Sequence, residues 1–142
     1  MSRTGAITFK GHPMTLAGEA VAVGSAGPDF KLHYYRAGMQ TLSLSDLKGK
    51  KTLISVVPSL DTGVCAIQTK AFNEKVAALG DSVNAVTVSL DLPFAQGRFC
   101  GAEGIDNMQV ASDYQQRSFG QAYGVLIEEL MLLARAVLVL DE

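Results

Sequence analysis

The chain has 142 residues, with 12 Lys and Arg against 14 Asp and Glu and a formal charge of −2. That length fits one ordinary domain, and 48% apolar against 18% charged residues exclude a disordered or highly charged chain. The same balance leaves no basic stripe for nucleic acid and no polybasic patch for a lipid surface.

Taken in chain order, Ala6 to Phe9 and Met14 to Leu16 alternate around Gly11-His12-Pro13 and predict an N-terminal β-hairpin. Gly24 to Pro28 reads as a loop, Phe30 to Tyr35 as a strand, and Thr41 to Leu44 as a second short strand. Leu53 to Val57 is apolar and rich in β-branched residues, the pattern of a strand buried on both faces, and Pro58 ends it. Val64, Ile67, Ala71, Phe72, Val76 and Leu79 recur at helical spacing and predict a helix from Val64 to Leu79, stopped by Gly80. With a strand over Val83 to Ser89 this makes a strand–helix–strand unit with parallel strands. Asp91 is placed to cap a helix beginning at Pro93 and running past Cys100. Ser112 to Tyr123 reads as a weaker helix, and Arg135 to Leu140 as the last strand. These elements predict a single α/β domain over 1–142, thioredoxin-like, with a central mixed sheet flanked by helices and an extra N-terminal hairpin.

No segment has the length and character of a leader or a membrane span. The opening ten residues are interrupted by polar side chains. The most apolar tract, Leu130 to Leu140, is 11 residues long and carries Arg135, against the about 20 that a spanning helix needs. A cytoplasmic location follows as the expectation, and in that reducing compartment the two cysteines, Cys65 and Cys100, point to chemistry rather than to a staple.

The segment that carries chemistry is Pro58-Ser59-Leu60-Asp61-Thr62-Gly63-Val64-Cys65, between the C-terminal end of a buried strand and the first turn of a helix. Sites in open α/β sheets gather at that edge. A cysteine in a first helical turn meets unpaired backbone N–H groups and the positive end of the helix dipole, and both favour thiolate over thiol. Plainer roles stand beside this reading: Cys65 as a small buried hydrophobe, Pro58 as a strand breaker, Thr62 as a helix N-cap, and Arg135 as a cation on an exposed strand face.

Pro58-x-x-x-Thr62-x-x-Cys65 resembles the active-site signature of the peroxiredoxins. The longer run through Gln68-Thr69 and Phe72-Asn73 is similar to the bacterial thiol peroxidase subfamily, of the atypical two-cysteine type. Most of the chain joins in the resemblance. The N-terminal hairpin, Asp91-Leu92-Pro93-Phe94-Ala95-Gln96, Arg98-Phe99-Cys100, Gln121 to Val125 and Leu133 to Val137 fall in the subfamily's order. The resemblance implies that Cys65 is the peroxidatic cysteine and Cys100 the resolving one, joined in an intramolecular disulfide after each turnover. Thr62 would bond the sulfur and orient the peroxide, Arg135 would lie over the site as a buried cation, and Pro58 would limit access of solvent. Because both cysteines fall on predicted helices, local unfolding of the Asp91 to Gly104 helix, or with it of the first turn at Cys65, is expected to let them meet. Hydrogen peroxide and organic hydroperoxides are the implied substrates and thioredoxin the implied reductant. No cofactor and no metal is implied. A homodimer is implied too, with Phe72 and Phe94 available to its interface, and the family continues beyond the position of Glu142 with a further strand and helix.

Other chemistries fit less well. A thioredoxin-type oxidoreductase would carry Cys-x-x-Cys, and here Cys65 is followed by Ala66-Ile67-Gln68. A cysteine hydrolase needs a base, and His12 and His33 both lie in the N-terminal part. The same two histidines and two cysteines lack zinc-ligand spacing. The alternative from another class is a non-catalytic redox switch on the same fold.

Overall fold

The computed structural model describes residues 2–141, for Asp81 the backbone alone. Met1 and Glu142, the ends of the expected domain, lie outside the described residues. The N-terminal hairpin forms as expected from β1 (Arg3–Phe9) and β2 (His12–Leu16), paired Phe9↔His12 across a two-residue turn. Lys10 and Gly11 take φ of 50° and 83°, the left-handed pair that a tight hairpin demands and that glycine at the second position makes cheap.

Next come β3 (Lys31–Tyr35), β4 (Met39–Ser43), β5 (Lys51–Val56) and the helix α1 (Gly63–Ala77). Then follow β6 (Val83–Ser89), α2 (Pro93–Glu103), β7 (Gln109–Ser112) and a short α3 (Ser118–Ala122). Two-residue strands β8 (Leu126–Ile127) and β9 (Leu132–Leu133) precede β10 (Ala136–Leu140). The main sheet runs β10-β5-β6-β7-β3-β4. β5, β6 and β7 are parallel, as the strand–helix–strand reading requires, and β10, β3 and β4 join antiparallel. A second sheet, β1-β2-β8-β9, brings the hairpin to the chain's later segments through Leu16↔Ile127.

Period-two alternation explains why the central strands look uniformly apolar. Ile54, Val56, Val86 and Val88 enter one core cluster with Phe30, Phe119 and Tyr123. Val57 and Ala85 enter the other, with Leu60, Cys65, Val76 and Met108. The first cluster is closed by aromatic packing: Phe119 stacks on Tyr123 at 4.4 Å, and Phe30 meets Phe119 edge-on at 5.5 Å. The second lies under α1 and α2 and contains the nucleophile candidate. At the sheet edge, β10 packs Leu138 and Leu140 inward while Val137 and Val139 are exposed.

Three sequence expectations are corrected. The stretch 112–123 is not one helix: Ser112 closes β7, Arg117 adopts a left-handed φ of 53°, and only Ser118–Ala122 is helical. Asp91 does not cap α2; the N-cap is Leu92, and the Asp91 side chain turns the other way. Arg135 stands in the connector between β9 and β10 rather than in the last strand, which starts one residue later.

Candidate active site

Val57 ends the buried path of β5, its N–H bonded to the Val88 carbonyl at 3.0 Å, and Pro58 then turns the chain out of the sheet. The loop 59–62 is drawn tight by its own hydrogen bonds. The Thr62 N–H and hydroxyl both donate to the Ser59 carbonyl, at 3.3 and 2.8 Å, and the Asp61 N–H donates to Ser59 Oγ at 3.1 Å. Thr62 is the N-cap residue of α1 by backbone, its carbonyl accepting the Ala66 N–H at 3.0 Å, but its side chain makes no cap bond. Cys65 therefore falls in the first turn of α1, where backbone donors are left over, and it is 1% exposed.

Arg135 reaches this sulfur from across the chain. Its Nη2 donates to Cys65 Sγ at 3.3 Å, while Nη1 donates to Gln68 Oε1 at 2.7 Å. Gln68 is three residues past Cys65, on the same helix face, and its Nε2 donates to Ser55 Oγ on β5 at 2.7 Å. The planar fork of the guanidinium is thus held at both tips, one on the thiol and one on an amide braced by the sheet. The arginine as a residue is exposed, so the expected buried cation is instead an exposed one with its head turned onto sulfur. From sequence, Gln68 enters only through the family likeness and Ser55 only as part of the buried strand; the i, i+3 spacing to Cys65 is the signal that could have found Gln68.

The remaining expected residues are placed more loosely. Pro58 is half-buried at the head of the loop. The Thr62 hydroxyl, expected against the sulfur, spends its proton on the Ser59 carbonyl, which leaves its lone pairs as acceptors. Cys100 sits in α2, half-buried against the cluster that holds Cys65, and both cysteines are free thiols. Burial pushes the Cys100 thiol above its ordinary value, with nearby Arg36 pulling partly the other way. His33 is buried on β3 and edge-on to Tyr114 at 5.8 Å, outside this constellation. Among the described residues no group of three His, Cys, Asp or Glu could hold a metal, and no helix is long and apolar enough to cross a membrane.

A mixed sheet with a cysteine at the head of its first long helix and a cation on the sulfur defines a thioredoxin-like thiol protein, and the comparisons with known proteins fall in that class. The redoxin family model matches residues 22–142. Thiol peroxidase of Bacillus subtilis (strain 168) is 57% identical over 136 residues, covering 96% of this chain and 80% of the relative. Thiol peroxidase of Streptococcus parasanguinis is 52% identical, covering 94% and 80%. Among solved structures, a peroxiredoxin-like protein from Aquifex aeolicus superposes with a TM-score of 0.86 at 41% identity, over 98% of this chain and 80% of that one. The chain belongs to the redoxin family and, within it, to the bacterial thiol peroxidase group of peroxiredoxins.

Proposed function

We propose that this chain is an antioxidant peroxidase that reduces hydrogen peroxide and organic hydroperoxides through Cys65 and is recycled through Cys100 by thioredoxin. The observation that carries the reading is the 3.3 Å contact of Arg135 Nη2 with Cys65 Sγ in the first turn of α1. The thiolate attacks the terminal peroxide oxygen; an S–O bond forms and the O–O bond breaks. The departing oxygen leaves as hydroxide or alkoxide and takes up a proton, and Cys65 is left as a sulfenic acid. Arg135, its fork held by Gln68, stabilises the charge that develops on the departing oxygen as a preorganised donor. The free lone pairs of Thr62 Oγ1 accept a hydrogen bond from the hydroperoxide O–H and aim the molecule, and Pro58 shields the sulfur's approach.

Resolution follows within the chain. The Cys100 sulfur attacks the sulfenic sulfur, an S–S bond forms, the S–O bond breaks, and the hydroxyl leaves as water with the Cys100 proton. A disulfide needs Cα atoms within about 7 Å of each other, and both cysteines stand in helices. We therefore assign to α2 a local unfolding in each cycle. Two electrons from a thioredoxin dithiol restore both thiols. Two free cysteines suit a reducing cytoplasm. A homodimer is part of the proposal, with exposed Phe94 offered to a second copy; Phe72, expected beside it, turns inward onto the Cys65 cluster.

Steady-state peroxide consumption coupled to thioredoxin and its reductase tests the reading. Turnover should persist over many equivalents, vanish in Cys65→Ser, and stop after one equivalent in Cys100→Ser with the sulfenic acid trapped on Cys65. A wild-type protein that oxidises once and stops is a redox switch and not a peroxidase.

A further inference from the structure

Between the Cys65 loop and the Cys100 helix runs one continuous hydrogen-bond chain, and its centre is the Asp91 carboxylate. Asp91 Oδ1 accepts from Ser59 Oγ at 2.7 Å, and Oδ2 accepts from the Leu60 N–H and from Ser89 Oγ, each at 2.7 Å. Ser89 Oγ in turn accepts from Gln96 Nε2 at 3.0 Å and from the Asp91 N–H at 3.3 Å. A hydroxyl has one proton and two acceptor positions, so Ser89 is used in full and the direction of every bond is fixed. Gln96 is 2% exposed and stands one helical turn before Cys100. Its Nε2 also donates to the Ala111 carbonyl on β7 at 3.0 Å. The chain thus begins at the core-facing side of α2 and ends on the residues that hold Thr62 and the head of α1.

The geometry points to Asp91 as a positioning residue that couples the shape of the peroxide-binding loop to the folded state of α2; this rests on the peroxidase reading above. Bonds to a carboxylate acceptor are the strong ones, and through Ser89 and Gln96 the network joins four separate pieces of chain: the loop, the end of β6, α2 and β7. When α2 unfolds to release Cys100, Gln96 leaves Ser89, and the hydroxyl that positions Asp91 is freed to turn. The loop then loses the acceptor that holds Ser59 Oγ and the Leu60 N–H. Coupling of this kind is reciprocal. A loop held ready for peroxide keeps α2 folded and Cys100 back, and a released α2 leaves the loop unready while the disulfide forms.

Asp91→Asn tests it, because the amide keeps the size but must set its NH2 against at least one of the three donors, Ser59, Leu60 and Ser89. Rapid-quench mass spectrometry at fixed excess peroxide reads two quantities: the rate of Cys65 oxidation, and the partition of its sulfenic acid between disulfide and sulfinic acid. The sulfinic product requires a second peroxide, which gives up one oxygen and leaves as water or alcohol. In Asp91→Asn the oxidation rate should fall about tenfold and the sulfinic share should fall as well, since α2 opens more often. Ser59→Ala, which deletes one donor and is the milder variant should Asp91→Asn fail to fold, should slow oxidation about threefold. Leu47→Ala, destabilising but at the opposite end of β5 and β6, where Asn84 bonds its carbonyl, should change neither quantity. Hydrogen exchange on the reduced proteins reads the coupling without peroxide: amides of residues 59–62 and 94–100 should lose protection together in Asp91→Asn. If wild-type Cys65 takes no oxygen from peroxide, the peroxidase reading fails and exchange alone decides the coupling. If the amides of α2 stay protected, or if Leu47→Ala shifts oxidation and partition as Asp91→Asn does, the assignment of Asp91 is overturned.

Discussion

At the scale of single residues, the site depends on one fork being held at two points. Arg135 touches the sulfur with one tip and Gln68 with the other, and Gln68 is braced in turn on Ser55. Lysine would keep the charge but carries it as a flexible point without the planar fork. Arg135→Lys should lower the rate constant for Cys65 oxidation by about a hundredfold, and Gln68→Ala by about tenfold. Because Gln68 acts through Arg135, the double variant should be little slower than Arg135→Lys alone. Stopped-flow oxidation of the reduced proteins measures all three, and additive losses would show that Gln68 acts on the site by another route. This pair also marks what was legible in the sequence. Arg135 stood out as a cation in an apolar tract and Cys65 as a thiol at a strand–helix junction. Gln68 has only its place in the likeness and its spacing, and Asp91 reads as the cap of the nearer helix because nothing in the sequence marks Ser59 and Leu60, some thirty residues away, as its partners.

At the scale of elements, the composition of α2 suits the local unfolding proposed for it. It has 11 residues, two of them, Gly97 and Gly101, inside the helix with open space where a Cβ would stand, so packing does not require glycine there. Its far end is tied by Asn73, whose side chain bonds the Gly104 carbonyl and the Asn107 N–H, and by the solvent-exposed Lys70–Glu103 pair, a weak tether. Each helical glycine costs roughly 1 kcal/mol against alanine. Gly97→Ala with Gly101→Ala should therefore slow disulfide formation by about tenfold or more, if the reaction runs through the open helix. The first oxidation of Cys65 should keep its rate while the sulfinic share rises, opposite in sign to Asp91→Asn. Disulfide formation at the wild-type rate in the double variant would mean that Cys100 reaches Cys65 without melting α2. The glycines were visible in the sequence, but the short strands were not. β7, β8 and β9 have four, two and two residues, too few for any period to register, and the left-handed Arg117 that parts β7 from α3 carries no signature of its own.

At the scale of the whole molecule, Asp113 ties the main sheet to the first core. Its carboxylate is fully buried and accepts from the Phe119 and Gly120 N–H groups at 3.0 and 2.7 Å, while its own N–H bonds the Ser89 carbonyl at 3.0 Å. It ties α3, and with it the aromatic stack of the first core, to the end of β6. Burial pushes this carboxyl up from 3.8 to about 6, with the two backbone donors and Arg117 acting against that rise. The folded chain therefore holds the proton more tightly than the unfolded chain. This contribution to stability is full below about pH 4 and is lost as the pH rises through about 6. A shift of that size corresponds to roughly 3 kcal/mol between the two limits. His33 works in the other direction: desolvation, with Lys31 nearby, lowers its value from 6.5, so its contribution is present above 6.5 and lost on acidification. The pH slope of the wild-type chain mixes these two with Glu129, which the Thr15 N–H and hydroxyl hold below its ordinary value, and Asp113→Asn isolates the Asp113 part. The amide cannot ionise, keeps one acceptor for the α3 donors, and leaves His33 untouched. Urea unfolding at pH 7 and pH 4.5 should show the wild-type chain gaining on the variant by about 2 kcal/mol as the pH falls. A difference that stays constant across that range would mean that Asp113 is already ionised in the folded state at pH 4.5, held there by the Phe119 and Gly120 donors against the cost of its burial.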